Sequence, residues 1–162
     1  MQVSTTTGFL YCVNFNLHGS MKPSTVSVVD PVTMTEITTI TTGSMPHGSR
    51  ISRDGLFQYS VAMMSGELYE VDALGLEVSR TLDLENKMIK KDVTKHSMDG
   101  MKSMDGMKHS MVKPTWVIPH PKKNLAYIAG NGSDEVIEVD LDEWKVSDRF
   151  NTGKGPYNLE IS

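Results

Sequence analysis

A Val-Asp pair recurs along the chain at Val29-Asp30, Val71-Asp72 and Val139-Asp140, with intervals of 42 and 68 residues between the aspartates. A second marker, Pro46, Pro114 and Pro156, shows the same intervals in reverse order. Both series fit one 42-residue unit if 26 residues are inserted between the second and third copies. Thr42-Gly43-Ser44-Met45-Pro46 recurs as Thr152-Gly153-Lys154-Gly155-Pro156 and fixes the register independently. Self-similarity at a fixed period constrains a fold strongly, because each copy is a unit that buries its apolar face only against its neighbour.

Each unit holds four short runs rich in Val, Ile, Thr and Tyr, bounded by Asp-Gly, Ser-Gly, Asn-Gly or Pro. In the second unit the runs predict strand A at about 47–52, B at about 56–63, C at about 67–72 and D at about 77–82. Four strands in about 40 to 45 residues are the mark of a β-propeller blade. A β-sandwich also spaces its strands regularly, but has no reason to repeat one motif with matching turns. The fold class is therefore all-β, a propeller fragment of about three and a half four-stranded blades. The chain is expected to begin near strand B of one blade, and Tyr157 to Ser162 read as strand A of a fourth. Residues 1–84 form the first two blades, 85–112 the insertion, and 113–162 the third blade and the start of the next. Closed propellers have about four to eight blades. The chain thus reads as part of a larger propeller, or as one partner of a ring closed by another chain.

Composition removes several classes. With 162 residues and a net charge of −4, this is neither a polybasic nucleic-acid binder nor a multidomain chain. No apolar run approaches the ~18 residues that span a bilayer. The segment Met1-Gln2-Val3-Ser4-Thr5-Thr6-Thr7 lacks the basic start and apolar stretch of a secretion signal. A single cysteine, Cys12, excludes an internal disulfide and a multi-thiolate zinc site, and its mid-strand position reads as a small buried hydrophobe. No Ser-His-Asp arrangement, P-loop or dinucleotide fingerprint is present, so the sequence does not support an enzyme. Trp116 and Trp144, at strand A and strand D positions, read as packing between blades. Asp30, Asp72 and Asp140 read as turn caps.

Gly43-Ser44-Met45-Pro46-His47, Ser52-Arg53-Asp54-Gly55, the tyrosine-bearing strand that follows and the closing Val-Asp resemble the YVTN-type β-propeller repeat. That family is related in fold to the propeller of cytochrome-type nitrite reductase and, more distantly, of nitrous-oxide reductase. The resemblance covers all but the insertion and implies an extracytoplasmic protein, periplasmic or at the cell surface. Lys122-Lys123 departs from the pattern, standing where the repeat has Asp-Gly. There is no Cys-x-x-Cys-His for haem attachment, and five histidines do not match the ring of histidines around the nitrous-oxide reductase copper cluster.

The insertion is the most specific segment. Met98-Asp99-Gly100-Met101-Lys102-Ser103 is followed by Met104-Asp105-Gly106-Met107-Lys108-His109, a six-residue tandem repeat. Met98, Met101, Met104, Met107 and Met111 are interleaved with His96 and His109. Thioether sulfur is a soft ligand suited to Cu(I), and imidazole also accepts Cu(II). Asp99 and Asp105 are placed to offset the ion's charge without ligating. The segment resembles the Met-Asp-Gly-Met and Met-Asp-His repeats of bacterial copper-resistance proteins. The plainer readings are a low-complexity linker and a partner-binding helix, although Gly100 and Gly106 disfavour helix and methionine suits a solvated linker poorly.

Four alternating strands place the D–A connections and the B–C turns on one face of a propeller, and the A–B and C–D turns on the other. Ten of the 12 methionines then fall on one face, together with His18, His47, His96 and His109. His18, Met21 and His47 could extend the site, and strand alternation turns one of Met63 and Met64 inward. The expected function is copper capture, buffering or transfer, with a copper ion as partner and no nucleic acid or membrane span. The alternatives are an interaction scaffold with no metal role, and part of a copper- or haem-dependent oxidoreductase with His47 as axial candidate.

Overall fold

A computed structural model describes residues 2–16, 22–85 and 109–162. Within them the chain is all-β, with twelve strands in three four-stranded antiparallel sheets and no helix. The first sheet holds β1 (Gln2–Val3), β2 (Leu10–Val13), β3 (Pro23–Asp30) and β4 (Thr35–Ser44). The second holds β5 (Pro46–Ile51), β6 (Phe57–Ala62), β7 (Glu67–Asp72) and β8 (Glu77–Asp83). The third holds β9 (Pro114–Pro119), β10 (Leu125–Gly130), β11 (Glu135–Asp140) and β12 (Lys145–Asn151). Each sheet is a simple up-and-down meander in chain order, the topology of a propeller blade.

The repeat is visible in the backbone itself. The C–D pairing slips by one residue at Val28/Val29, Glu70/Val71 and Glu138/Val139, the same place in every blade. Below each bulge an aspartate caps the turn. Asp30 Oδ1 accepts the Val32 N–H at 2.9 Å, Asp72 Oδ1 that of Leu74 at 2.8 Å, and Asp140 Oδ1 that of Asp142 at 2.9 Å. Four residues after each aspartate the chain turns left-handed, at Met34 (φ 55°), Leu76 (φ 55°) and Trp144 (φ 51°). This reversal followed by one left-handed residue matches the twist of the flanking strands. Trp144 therefore sits in the C–D turn and not in strand D.

The core lies between sheets. Tyr11, Val26, Val28 and Ile40 of the first blade pack against Val71 and Ala73 of the second. Val61, Leu68, Leu84 and Tyr59 pack against Val117, Ile128, Ile137 and Val139 of the third. Full burial of each such side chain is worth about 1.5–3 kcal/mol. The innermost strands meet almost backbone to backbone: a Cβ on Gly48 would lie 2.6 Å from the Trp116 Cα and 2.7 Å from the Thr115 carbonyl oxygen. Arg50 lies over the Trp116 ring at 4.1 Å and Arg80 over Trp144 at 4.2 Å, so both tryptophans do pack across the interface between the second and third blades.

Three local expectations change. The first blade gains its own strand A, β1, paired to β2 at Gln2↔Tyr11 and Val3↔Leu10. Residues 157–162 form no strand, because no strand-B partner for them lies among the described residues. Cys12 is half-buried and not buried, its thiol lying 3.9 Å from the Val13 carbonyl oxygen.

Candidate functional site

Backbone hydrogen bonds establish which connections share a face. Met63 N–H donates to Met45 O at 2.9 Å and Met64 N–H to Ser44 O at 3.2 Å, laying the first D–A connection across the B–C turn of the second blade. Leu84 N–H donates to Gly66 O at 2.9 Å, and Ser110 N–H to Met64 O at 3.0 Å. Both ends of the insertion therefore return to that same B–C turn, beside Met45, Met63 and Met64. All three methionines are half-buried in turns. Strand alternation does not reach Met63 and Met64, and neither is turned fully inward.

The two ends are held together by side chains. Glu85 Oε1 accepts the Ser110 hydroxyl at 2.6 Å and the Val112 N–H at 3.2 Å, and Ser110 Oγ accepts the Lys113 N–H at 2.8 Å. Ser110 is fully buried, as are Leu84 and Val112 on either side. Gly66 (φ 73°) makes room: a Cβ there would lie 2.7 Å from Glu85 Oε1 and 2.8 Å from Ser110 Oγ. The equivalent position in the third blade is Asp134 (φ 56°), whose carboxylate instead accepts the Gly155 N–H at 2.8 Å.

Of the candidate ligands, Met111 is 75% exposed and His109 is exposed, both next to this neck. Met98, Met101, Met104, Met107, His96, His18 and Met21 lie outside the described residues. Among the described residues no three His, Cys, Asp or Glu side chains come together as a metal cluster. Tyr69, also on strand C near the same turn, donates to Glu67 Oε2 at 2.5 Å. Burial, then this carboxylate, pushes its phenol well above the ordinary value.

His47 stands apart, on the innermost strand β5. Its Nδ1 donates to the Thr115 carbonyl oxygen at 2.9 Å, which leaves Nε2 as the acceptor of the Tyr157 hydroxyl at 2.5 Å. Phe15 and Tyr157 pack edge-on against the ring, with centroids at 5.2 and 5.0 Å. Both nitrogens are engaged, and a metal at His47 would have to displace Tyr157. Sequence reasoning missed Tyr157 and the Glu85–Ser110 neck. His47, Thr115 and Tyr157 each follow a marker proline and are repeat equivalents, which was the available signal for the former.

No protein-family model matches this sequence, and no curated protein matches it. Solved structures do. Hydrazine synthase of Kuenenia stuttgartiensis superposes with a TM-score of 0.69 at 16% identity, over 95% of this chain and 35% of that one. Apo AztD of Citrobacter koseri gives a TM-score of 0.61 at 16% identity, over 93% and 34%. The dihydro-heme d1 dehydrogenase NirN gives 0.63 at 11% identity, over 96% and 28%. The chain thus spans about a third of the length of the structures it resembles, and the likeness establishes the β-propeller fold.

Proposed function

We propose that the chain is a stretch of an extracytoplasmic, YVTN-type propeller protein that captures, buffers or transfers copper on its methionine-rich face. The carrying observation is the neck. The Met-rich segment leaves and rejoins the propeller at one point, closed by Glu85 and Ser110, on a surface where Met45, Met63, Met64 and Met111 already stand. Thioethers are neutral, soft donors suited to Cu(I) and need no deprotonation. Met98, Met101, Met104, Met107 and Met111 supply three or four sulfurs, with His96 or His109 as an optional further ligand. Interchangeable ligands from a tandem repeat give fast exchange, which suits transfer better than redox catalysis with its need for fixed geometry. Further blades, from the same chain or another, complete the ring in this reading.

The test is a Cu(I) competition titration of the full chain against a variant lacking residues 95–107, which keeps Glu85, Ser110 and the neck. Loss of Cu(I) binding in the deleted form supports the reading. Equal copper binding by the two forms makes the segment a linker and overturns it.

A further inference from the structure

The face opposite the insertion carries a cleft of about 420 Å3 between the second and third blades. It opens under two A–B turns, closed by Ser52 N–H to Phe57 O at 2.8 Å and by His120 N–H to Leu125 O at 2.8 Å. Its volume lies within the range of small-molecule sites, about 300–1,000 Å3. The two turns are equivalent in the repeat, and Lys122-Lys123 occupies the place of Asp54-Gly55. The turn survives this departure. His120 Nδ1 accepts the Lys122 and Lys123 N–H groups at 3.0 and 3.1 Å, as Ser4 Oγ accepts those of Thr6 and Thr7 at 3.2 and 3.1 Å in the first blade. The closing hydrogen bond is kept, although the left-handed φ of Gly55 (76°) has no counterpart at Lys123, and the exchange sets two ammonium groups on the rim.

Every carboxylate in the lining is already committed. Glu70, 2% exposed, is bound by the Arg80 guanidinium. Asp54 Oδ1 accepts the Ser52 hydroxyl at 2.6 Å and the Leu56 N–H at 3.0 Å, and Asp142 Oδ1 accepts from Asn124 at 2.9 Å. Neutral donors leave Asp54 and Asp142 charged, so the lining sets four cationic side chains, Arg53, Arg80, Lys122 and Lys123, against three carboxylates. Arg53 gives one N–H to Pro121 O at 3.2 Å, across the cleft, and Lys122 and Lys123 have no ion-pair partner among the described residues. In a chain of net charge −4, this is a local excess of positive charge over partly buried Phe57 and Leu141 and buried Tyr59.

We propose that this inter-blade cleft binds a small organic anion, its carboxylate or phosphate held by Arg53, Lys122 and Lys123 and its carbon body against Phe57, Tyr59 and Leu141. The site lies away from the methionine face and does not depend on copper. Isothermal titration of the full chain with phenyl phosphate, benzoate, inorganic phosphate and benzylamine tests it. At least one aromatic anion binds saturably and more tightly than inorganic phosphate, weakens with added salt, and is not matched by benzylamine. Tighter phenyl phosphate marks a dianion site and tighter benzoate a carboxylate site. K122D/K123G places the second blade's Asp-Gly at the equivalent positions, with folding checked by circular dichroism; it weakens binding at least tenfold, and Arg53→Gln weakens it less. No binding of either aromatic anion, equal binding of benzylamine, or undiminished binding by a folded K122D/K123G variant overturns the proposal.

Discussion

Tyr157 and His47, 110 residues apart, share a hydrogen bond of 2.5 Å from the phenolic hydroxyl to Nε2. With Thr115 O on Nδ1, it ties the segment after the third blade to the innermost strand of the second. Removing the hydroxyl in Tyr157→Phe costs about 0.5–1.5 kcal/mol, the net worth of one such bond. Nδ1 keeps its proton because the Thr115 carbonyl still accepts it. Ring 15N shifts of His47 in the variant should report the same tautomer as the parent, and a switch to the Nε2–H form would contradict the assignment.

Gly48 leaves no space for a side chain, since the atoms nearest its absent Cβ are backbone and cannot rotate away. Gly48→Ala forces β5 and β9 apart and is expected to cost about 1–3 kcal/mol. For a chain of this length that lowers the melting temperature by about 2–4 °C per kcal/mol. An unchanged melting curve would mean that the two inner strands are not packed as described.

The neck makes a parallel prediction. Glu85→Ala leaves the buried Ser110 hydroxyl and Val112 N–H without their acceptor, a loss of about 1–3 kcal/mol. Amide exchange should rise at Ser110 and Val112 and stay unchanged in the first blade. Uniform exchange across both blades would show that the neck is not a local closure.

The parts legible in the sequence are those written by local rules. The aspartates at 30, 72 and 140 cap turns two residues ahead, so a fixed period reveals both the caps and the strands they separate. The sequence predicts strand C of the second blade at about 67–72, and it spans Glu67–Asp72. What sequence hid depends on partners brought together by the stacking of blades. The Glu85–Ser110 bond spans the insertion, and His47 and Tyr157 hold the same place in different repeats, which aligns them in sequence without showing that they touch. Trp144 takes a left-handed backbone that is unusual for a bulky residue, so its place in the turn is not visible in sequence. Lys122-Lys123 was visible as a departure, but the cleft beneath it exists only once two blades meet.

Acid should weaken the fold through its turns. The Asp54 carboxyl is held below its ordinary 3.8 by the Ser52 hydroxyl and then the Leu56 N–H, and Asp30 by the Val32 N–H and the Thr33 hydroxyl. A carboxyl whose value is depressed on folding contributes stability above its unfolded value and loses it as pH falls through the folded one. The melting temperature should therefore drop as pH is lowered from about 4, the ordinary range of these groups. The double variant Asp30→Asn, Asp54→Asn keeps an acceptor for each backbone N–H while removing the titration. Its melting temperature should fall less steeply over that interval, and an identical slope would assign the acid sensitivity to other groups.

Copper binding should show the opposite indifference to acid. Thioether sulfur carries no proton at any accessible pH, so a Cu(I) held by Met98, Met101, Met104, Met107 and Met111 has nothing to displace on binding. A histidine ligand does, because imidazole protonates near 6.5, and each such ligand weakens binding about tenfold per pH unit below that value. Competition titrations at pH 7 and pH 5 separate the two donor sets on the intact chain. Methionine-only coordination gives nearly equal affinities, whereas coordination by His96 or His109 gives a drop of more than tenfold. If His109→Ala removes that drop, His109 is the completing ligand. If His96→Ala removes it, the assignment passes to His96. A fall in affinity that survives both substitutions would point to proton-competing ligands outside the insertion and count against the methionine-rich segment as the copper site.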